Sequence, residues 1–199
     1  MLSCPNPLAS NLKRTDGQSI CSFFVTITTI DLAIKIYNET GMKGKKLNIP
    51  VIYQTQTEWC WAACAVMILK YYGYNKKFLS AYNQGCKHKD IKKVFSHWKM
   101  SCKFKKGKML FSTIVSEINA GRPIEIGIQI PFGDSHVVII IGYKTLSESN
   151  YVYIIDPKHG GSWHDFKSFF YANGITKWIY TWSNFNPSGF KEGVRTRIT

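Results

Sequence analysis

The sequence predicts an α+β fold, in which helices in the first part of the main domain precede an antiparallel sheet. Residues 59–72 are apolar on all sides and rich in helix-favouring residues, which is typical of a buried helix. Three strand-like runs follow at 124–130, 136–143 and 151–155, separated by short segments of turn-forming residues. Helices followed by consecutive strands are typical of this fold class.

Weaker patterns predict the remaining elements of the main domain. The mixed, basic segment 74–108 favours one or two short helices. Residues 111–120 are predicted to form a helix that Gly121 ends, as Gly73 ends the buried helix. A last pair of strands is expected around 177–182 and would close the sheet.

A length of 199 residues suits one domain with an extension better than two full domains. The Gly- and Lys-rich stretch 41–46 has the composition of a linker. We therefore divide the chain into a partly ordered N-terminal extension, 1–46, and a main domain, 47–199. Within the extension, 23–30 favours a strand and 31–39 a short helix.

The chain is strongly basic, with 26 Lys and Arg against 12 Asp and Glu and a net charge of +14. The excess is densest in 87–108, where it either keeps the surface soluble or binds an anionic partner. That segment carries no recognised nucleic-acid-binding motif. No uncharged apolar run reaches the roughly 18 residues of a membrane span, and the Thr-rich run 20–30 is a poor match to a removable signal.

Cys60 is the strongest candidate nucleophile because it stands where the apolar helix is predicted to begin. The unpaired N–H groups and the dipole of a helix N-terminus favour the thiolate, which is the reactive form of cysteine. Cys64 lies one turn further into the helix, so we expect an inert core residue there.

An attacked carbonyl develops negative charge on its oxygen, and this charge needs hydrogen-bond donors that are already in place. The backbone N–H of Cys60 can be one donor. The side-chain amide of Gln54, six residues earlier in an extended segment, is predicted to be another. Gln56 is the alternative to Gln54.

The nucleophile also needs a base that a third group holds in place. Among the 5 histidines, only His136 opens a strongly apolar strand directly after a Gly-containing loop. The next strand ends at Asp156, and a hairpin returns that carboxylate towards the start of the His136 strand. We therefore predict that His136 is the base and that Asp156 orients it.

This ordered set of residues resembles the papain-like cysteine peptidase superfamily. There, a Gln six residues before a helix-starting Cys is followed by a His that begins a strand, and then by an Asn or Asp on the next strand. The elements in this chain are Gln54, Cys60, His136 and Asp156. Asp156 departs from papain, which has Asn, and Trp61 stands where papain has Gly.

The resemblance covers about residues 48–185 and is strongest to compact bacterial members. The Trp-Cys-Trp-Ala-Ala segment at 59–63 is similar to type III effector proteases, which pathogens secrete. The His-Val-Val that begins at His136 and the Asp-Pro at Asp156 are similar to peptidases that trim double-glycine leaders. The resemblance implies a helical half packed on an antiparallel β half, with the catalytic cleft between them.

The resemblance implies a thiol-dependent peptidase that acts on a protein or peptide. We expect a monomer, and a secreted or translocated bacterial effector or toxin in preference to a cytoplasmic protein. One alternative is a deamidase or acyltransferase that uses the same triad. Another is a non-catalytic module that binds anionic surfaces through its lysines.

No cofactor and no metal is expected. The set Cys86, His88, His97 and Cys102 has the residue types of a zinc site, but its spacing is irregular. A disulfide between Cys86 and Cys102 is a second possibility, and ordinary surface or core positions are a third. The Gly160–Gly161 pair is interpreted as a turn.

Overall fold

The computed structural model of the protein describes residues 43–74, 86–130, 135–169 and 177–188. The strand and helix predicted in the N-terminal extension lie outside these residues. The division of the chain after residue 46 therefore stays a prediction.

Within the described ranges, the chain forms three helices and seven strands, which confirms the α+β class. The helices are α1 (Cys60–Tyr71), α2 (His88–His97) and α3 (Phe111–Asn119). The strands are β1 (Lys43–Lys46), β2 (Met100–Lys106), β3 (Ile124–Gln129), β4 (Ser135–Leu146), β5 (Ser149–Asp156), β6 (Gly160–Asp165) and β7 (Lys177–Pro187).

The seven strands form one antiparallel sheet around the long strand β4. Six of them follow the order β2-β7-β3-β4-β5-β6. Strand β3 pairs with the first half of β4, from Ser135 to Ile140, and β1 pairs further along it, from Gly142 to Thr145. Strand β5 covers the other edge of β4. The three strand runs predicted at 124–130, 136–143 and 151–155 are confirmed.

Helix α1 is buried on nearly all sides, as its composition predicts. Nine of its residues are buried, and the thiol of Cys64 donates a hydrogen bond of 3.3 Å to the carbonyl oxygen of Val137 in β4. Gly73 and Gly121 follow α1 and α3 with φ angles of 85° and 72°, in the left-handed region that glycine favours. Both predicted helix ends are confirmed.

The interpretation of 41–46 as a linker is wrong for its last four residues, which form the edge strand β1. All four residues of β1 are exposed, so no alternation of apolar residues signals a strand. Pairing with β4 supplies the strand conformation instead, and the Lys45 ammonium donates to the Asn119 carbonyl at 2.9 Å. Lysine on an exposed edge strand limits pairing with other chains.

The basic segment 87–108 contains both an expected helix, α2, and an unexpected strand, β2. Strand β2 pairs with β7 through a register shift between Ser101 and Lys103 and lies at the end of the sheet order. Its second half is exposed and Lys-rich, so local composition does not predict a strand there. Part of the positive charge of the chain therefore lies on a second edge strand.

Two further expectations are corrected near the C-terminus. The predicted last pair of strands is one strand, β7, which lies between β2 and β3. The predicted turn at Gly160–Gly161 is the beginning of β6, because Gly160 pairs with Asp156 and Gly161 with Ile155 of β5. In the described part of the chain, no helix has both the length and the apolar character to cross a membrane.

Glu125 places a carboxyl group inside the sheet. Its side chain is fully buried on β3, between Ile139 of β4 and Trp182 of β7, which are its cross-strand partners. Neither carboxyl oxygen has a hydrogen-bond partner among the described residues. Burial disfavours the charged form and raises the pKa of Glu125 from its ordinary 4.5 to about 8.

Replacement of Glu125 by Gln is expected to stabilise the protein at alkaline pH. Because the pKa is raised by folding, the folded state keeps a proton that the unfolded state loses, and stability is lost as the pH rises from 4.5 to 8. Gln cannot ionise, so Glu125→Gln should gain a few kcal/mol over the wild type above that range.

The free energy of unfolding in urea, measured below pH 4.5 and above pH 8, checks this expectation. The exposed Glu148→Gln is the matched control and should follow the wild type at both values. An equal pH dependence in Glu125→Gln and the wild type would contradict the expectation.

Candidate active site

The N-terminus of α1 positions the thiol of Cys60. Cys60 is the first residue of the helix, Trp59 occupies the N-cap position without a capping side-chain hydrogen bond, and the first turn contains no acidic residue. The first N–H groups of a helix have no partner within the helix and favour a nearby negative charge. Cys60 is only 8% exposed, so its thiol lies at this positive end and is largely shielded from water.

The β4–β5 hairpin brings the predicted base and carboxylate together. His136 stands at the start of β4 and Asp156 at the end of β5. The Nε2 atom of His136 lies 2.9 Å from Oδ1 of Asp156, across a separation of 20 residues in sequence. Their side chains are 13% and 24% exposed, so the pair is shielded from most of the solvent.

Cys60 lies near the imidazole of His136, because both line the same cleft and Cys60, like Asp156, favours the His136 cation. Since Nε2 is engaged by Asp156, Nδ1 is the ring nitrogen left for the thiol. The structure thus brings Cys60, His136 and Asp156 together in one cleft. A histidine placed between a thiol and a carboxylate can exchange a proton with the thiol while the carboxylate fixes its ring.

Electrostatics favour the protonated form of His136. Burial disfavours the cation, but the hydrogen bonds and the charges of Asp156 and Cys60 outweigh it and raise the pKa of His136 from 6.5 to about 9. Burial likewise opposes ionisation of Asp156, yet its hydrogen bond to His136 and the charge of that ring hold its pKa well below the ordinary value. An imidazolium next to Cys60 is the kind of neighbour that stabilises a thiolate.

Gln54 lies beside the site, but its amide is engaged in the turn before α1. The Nε2 group donates to the carbonyl oxygens of Gln56 and Thr57, at 2.9 Å each. The backbone N–H of Gln54 donates to the Pro157 carbonyl at 2.9 Å, which ties this segment to the chain directly after Asp156. The alternative candidate, Gln56, is exposed.

A cleft of about 970 Å³ opens over these residues. The segment from Gln54 to Glu58 forms one wall, and Cys60 and His136 lie within the cleft. Apolar side chains of the sheet, including Ile128 and Ile154, also line the cleft. The cleft is large enough for several residues of an extended peptide.

A family model, the Peptidase_C39 like family, matches residues 46–185 of the sequence. The chain belongs to this family. Membership indicates a cysteine peptidase and agrees with the resemblance to papain-like cysteine peptidases. No curated protein matches the sequence significantly.

The second thiol of α1 lies in the core of this Peptidase_C39 like protein, as expected. Cys64 is completely buried and donates to the backbone of Val137. Burial first, and then the neighbouring acidic groups of Glu125, Cys60 and Asp156, raise the pKa of the Cys64 thiol well above its ordinary value. Cys64 is therefore a protonated core residue, and it makes a natural control for Cys60.

The cleft contains polar residues that sequence analysis did not single out. His159 contacts Asp156, and Ser162 and His164 contact each other at 2.7 Å. Burial lowers the pKa of His164 despite the charge of Asp156, which favours its neutral ring. The signal available in the sequence was the position of His159 three residues after Asp156, within one turn of it.

The alternatives for the remaining cysteines are not supported by the described residues. Cys86 and Cys102 are both free thiols, so the structure contains no disulfide between them. Burial raises the pKa of each thiol to about 11. The described residues contain no group of three or more His, Cys, Asp or Glu side chains that could hold a metal ion.

The reaction of Cys60 with iodoacetate is expected to report the protonation of His136. This anionic reagent reacts fastest with a thiolate beside an imidazolium, so its rate should fall at alkaline pH with a midpoint near 9. Asp156→Asn keeps a hydrogen-bond acceptor but loses the charge, and Asp156→Ala loses both. The midpoint should therefore fall in Asp156→Asn and fall further, towards 6.5, in Asp156→Ala.

Mass spectrometry of the peptide that contains Cys60 measures this rate without interference from other thiols. Cys60→Ala gives the background at each pH. One common midpoint for the wild type and both Asp156 variants would contradict the assignment of the fall in rate at alkaline pH to His136.

Proposed function

We propose that the chain is a thiol-dependent peptidase that cleaves peptide bonds with Cys60 as nucleophile, His136 as general base and acid, and Asp156 as the group that orients His136. The observation that carries the proposal is the hydrogen bond between His136 and Asp156 in a cleft that Cys60 also lines, at the N-terminus of α1. Membership of the Peptidase_C39 like family supports it. We further propose a papain-like arrangement, with α1 against the sheet and the cleft between them.

In the proposed reaction, the Cys60 sulfur attacks the carbonyl carbon of the scissile peptide bond, and the carbonyl oxygen takes up negative charge. The His136 imidazolium then gives its proton to the leaving nitrogen, the C–N bond breaks, and a thioester remains on Cys60. A water molecule, deprotonated by the now neutral His136, attacks the thioester. The C–S bond then breaks and the acid product leaves. Cys60 departs with the bonding electrons and His136 keeps the proton from water, so both groups return to their starting state.

The backbone N–H of Cys60, at the open end of α1, is one proposed donor to the oxyanion. Gln54 is the proposed second donor. Its amide hydrogens bond to the carbonyls of Gln56 and Thr57, so one of these bonds has to exchange for the oxyanion during the reaction. This exchange is compatible with its place on the cleft wall.

A covalent peptidase probe that mimics a peptide and reacts with thiols tests the proposed nucleophile. We expect labelling of the wild type, none of Cys60→Ala, and a strong reduction in His136→Ala. The matched control is Cys64→Ala, which removes the other thiol of the same helix and should retain labelling. Labelling that survives in Cys60→Ala would refute the assignment of the nucleophile.

Product analysis of a mixed peptide library separates peptidase from deamidase within the same experiment. The peptidase yields new N-termini, detected by mass spectrometry and absent with Cys60→Ala. Products in which side-chain amides have become acids, with no new N-termini, would favour the deamidase.

Replacement of Gln54 by Ala distinguishes an oxyanion donor from a residue that only shapes the turn. Alkylation by iodoacetate develops no oxyanion, so a pure oxyanion donor leaves that rate unchanged. We expect Gln54→Ala to slow peptide turnover by about 10²- to 10³-fold while alkylation of Cys60 stays near the wild-type rate. Gln56→Ala, which changes the exposed alternative, should affect neither rate.

A parallel loss of turnover and alkylation in Gln54→Ala would instead assign Gln54 to the turn before α1. Equal turnover in Gln54→Ala and the wild type would remove Gln54 from the mechanism.

A further inference from the structure

The carboxylate of Asp156 is held by more than the proposed base. Its Oδ1 atom accepts a hydrogen bond of 2.9 Å from Nε2 of His136 and one of 2.7 Å from the backbone N–H of Lys158. Its Oδ2 atom lies 3.1 Å from Nδ1 of a second histidine, His159. Each oxygen of this carboxylate therefore has an imidazole partner.

The two histidines occupy different environments. The side chain of His136 is 13% exposed, whereas that of His159 is 71% exposed and lies on the wall of the cleft. An exposed side chain normally keeps its rotational freedom. His159 is nevertheless tied to Asp156 twice, through its ring and through its backbone N–H, which donates to the Asp156 carbonyl at 3.2 Å.

We infer that His159 is a positioning residue for the catalytic carboxylate, an inference that rests on the proposed function. A carboxylate held through only one oxygen can rotate about its bond to Cβ. A donor on Oδ2 opposes this rotation and keeps Oδ1 directed at His136 Nε2. Hydrogen bonds to a charged acceptor are stronger than neutral ones, so even an exposed donor restrains the group.

A positive charge on the His159 ring would change the pKa of His136 in the opposite direction. If the positive charge of a protonated His159 dominated, it would offset the negative charge of Asp156 and weaken the support that Asp156 gives to the His136 cation. Positioning raises the pKa of His136, and competition lowers it. Removal of the His159 ring therefore lowers that pKa in the first case and raises it in the second.

Other titratable groups interact electrostatically with Asp156, and substitution of His159 leaves these groups in place. Among the described residues, these are His136, Cys64 and His164, and Cys60 acts on His136 itself. None of them apart from His136 has a hydrogen bond to the Asp156 carboxylate in the structure.

The test compares two substitutions of His159 in the full chain. His159→Ala removes the donor. His159→Asn keeps one, because the asparagine side-chain nitrogen can take the place of Nδ1. The exposed surface residue His97 provides a matched histidine control, His97→Ala. The readout is the rate of Cys60 alkylation by iodoacetate across pH, which needs no knowledge of the natural substrate.

We expect the alkaline midpoint of His159→Ala to move below that of the wild type, in the direction of Asp156→Ala but by less. The shift should be about 0.5 to 1 pH unit, which corresponds to the loss of one exposed charge-assisted hydrogen bond. Above the wild-type midpoint the rate should therefore fall by about 3- to 10-fold, whereas near neutral pH it should change little. His159→Asn should restore both the midpoint and most of the rate. His97→Ala should match the wild type.

An unchanged midpoint in His159→Ala, an upward shift, or a failure of His159→Asn to restore the wild-type behaviour would each overturn the inference. These results are distinct from a failure of the proposed function. In that case, the wild type itself would show no enhanced alkylation at Cys60, and His136→Ala would leave the rate unchanged.

Discussion

A buried cation between a thiol and a carboxylate is the interaction on which the site depends. Burial alone would neutralise His136, because a charged ring loses hydration when it leaves water. The contacts with Asp156 and Cys60 reverse this effect and raise its pKa to about 9. The cation is therefore the favoured form of the imidazole at neutral pH, and both partners contribute to this.

Three separate parts of the chain position Cys60, His136 and Asp156. The β4–β5 hairpin fixes His136 and Asp156 at one end of the sheet. Helix α1 packs on β4 through Cys64 and so brings its N-terminus, with Cys60, to the same place. The segment before α1 is tied to the chain after Asp156 by the bond from Gln54 to Pro157. Cys60, His136 and Asp156 are thus held by backbone contacts as well as by their own side chains.

The sequence predicted those parts of the molecule in which local pattern and tertiary environment agree. Helix α1 and strands β3, β4 and β5 are strongly apolar, and their ends coincide with glycine or turn-forming residues. Strands β1 and β2 were missed because they are exposed and Lys-rich, so that pairing with β4 and β7 decides their conformation. The contact of His159 with Asp156 depends on the conformation of a turn, which residue types alone do not specify. The hydrogen bonds from the Gln54 amide to the carbonyls of Gln56 and Thr57 likewise depend on the conformation of a turn.

The protonation state of His136 is the property that tests this account most directly. Nitrogen-15 NMR of histidine-labelled protein at neutral pH, with the signals of His136 assigned by their loss in His136→Asn, measures it without any substrate. We expect an imidazolium with both ring nitrogens protonated in the wild type, and a lower pKa of that ring when Asp156 is replaced by Ala. A neutral His136 ring at neutral pH in the wild type would contradict the account.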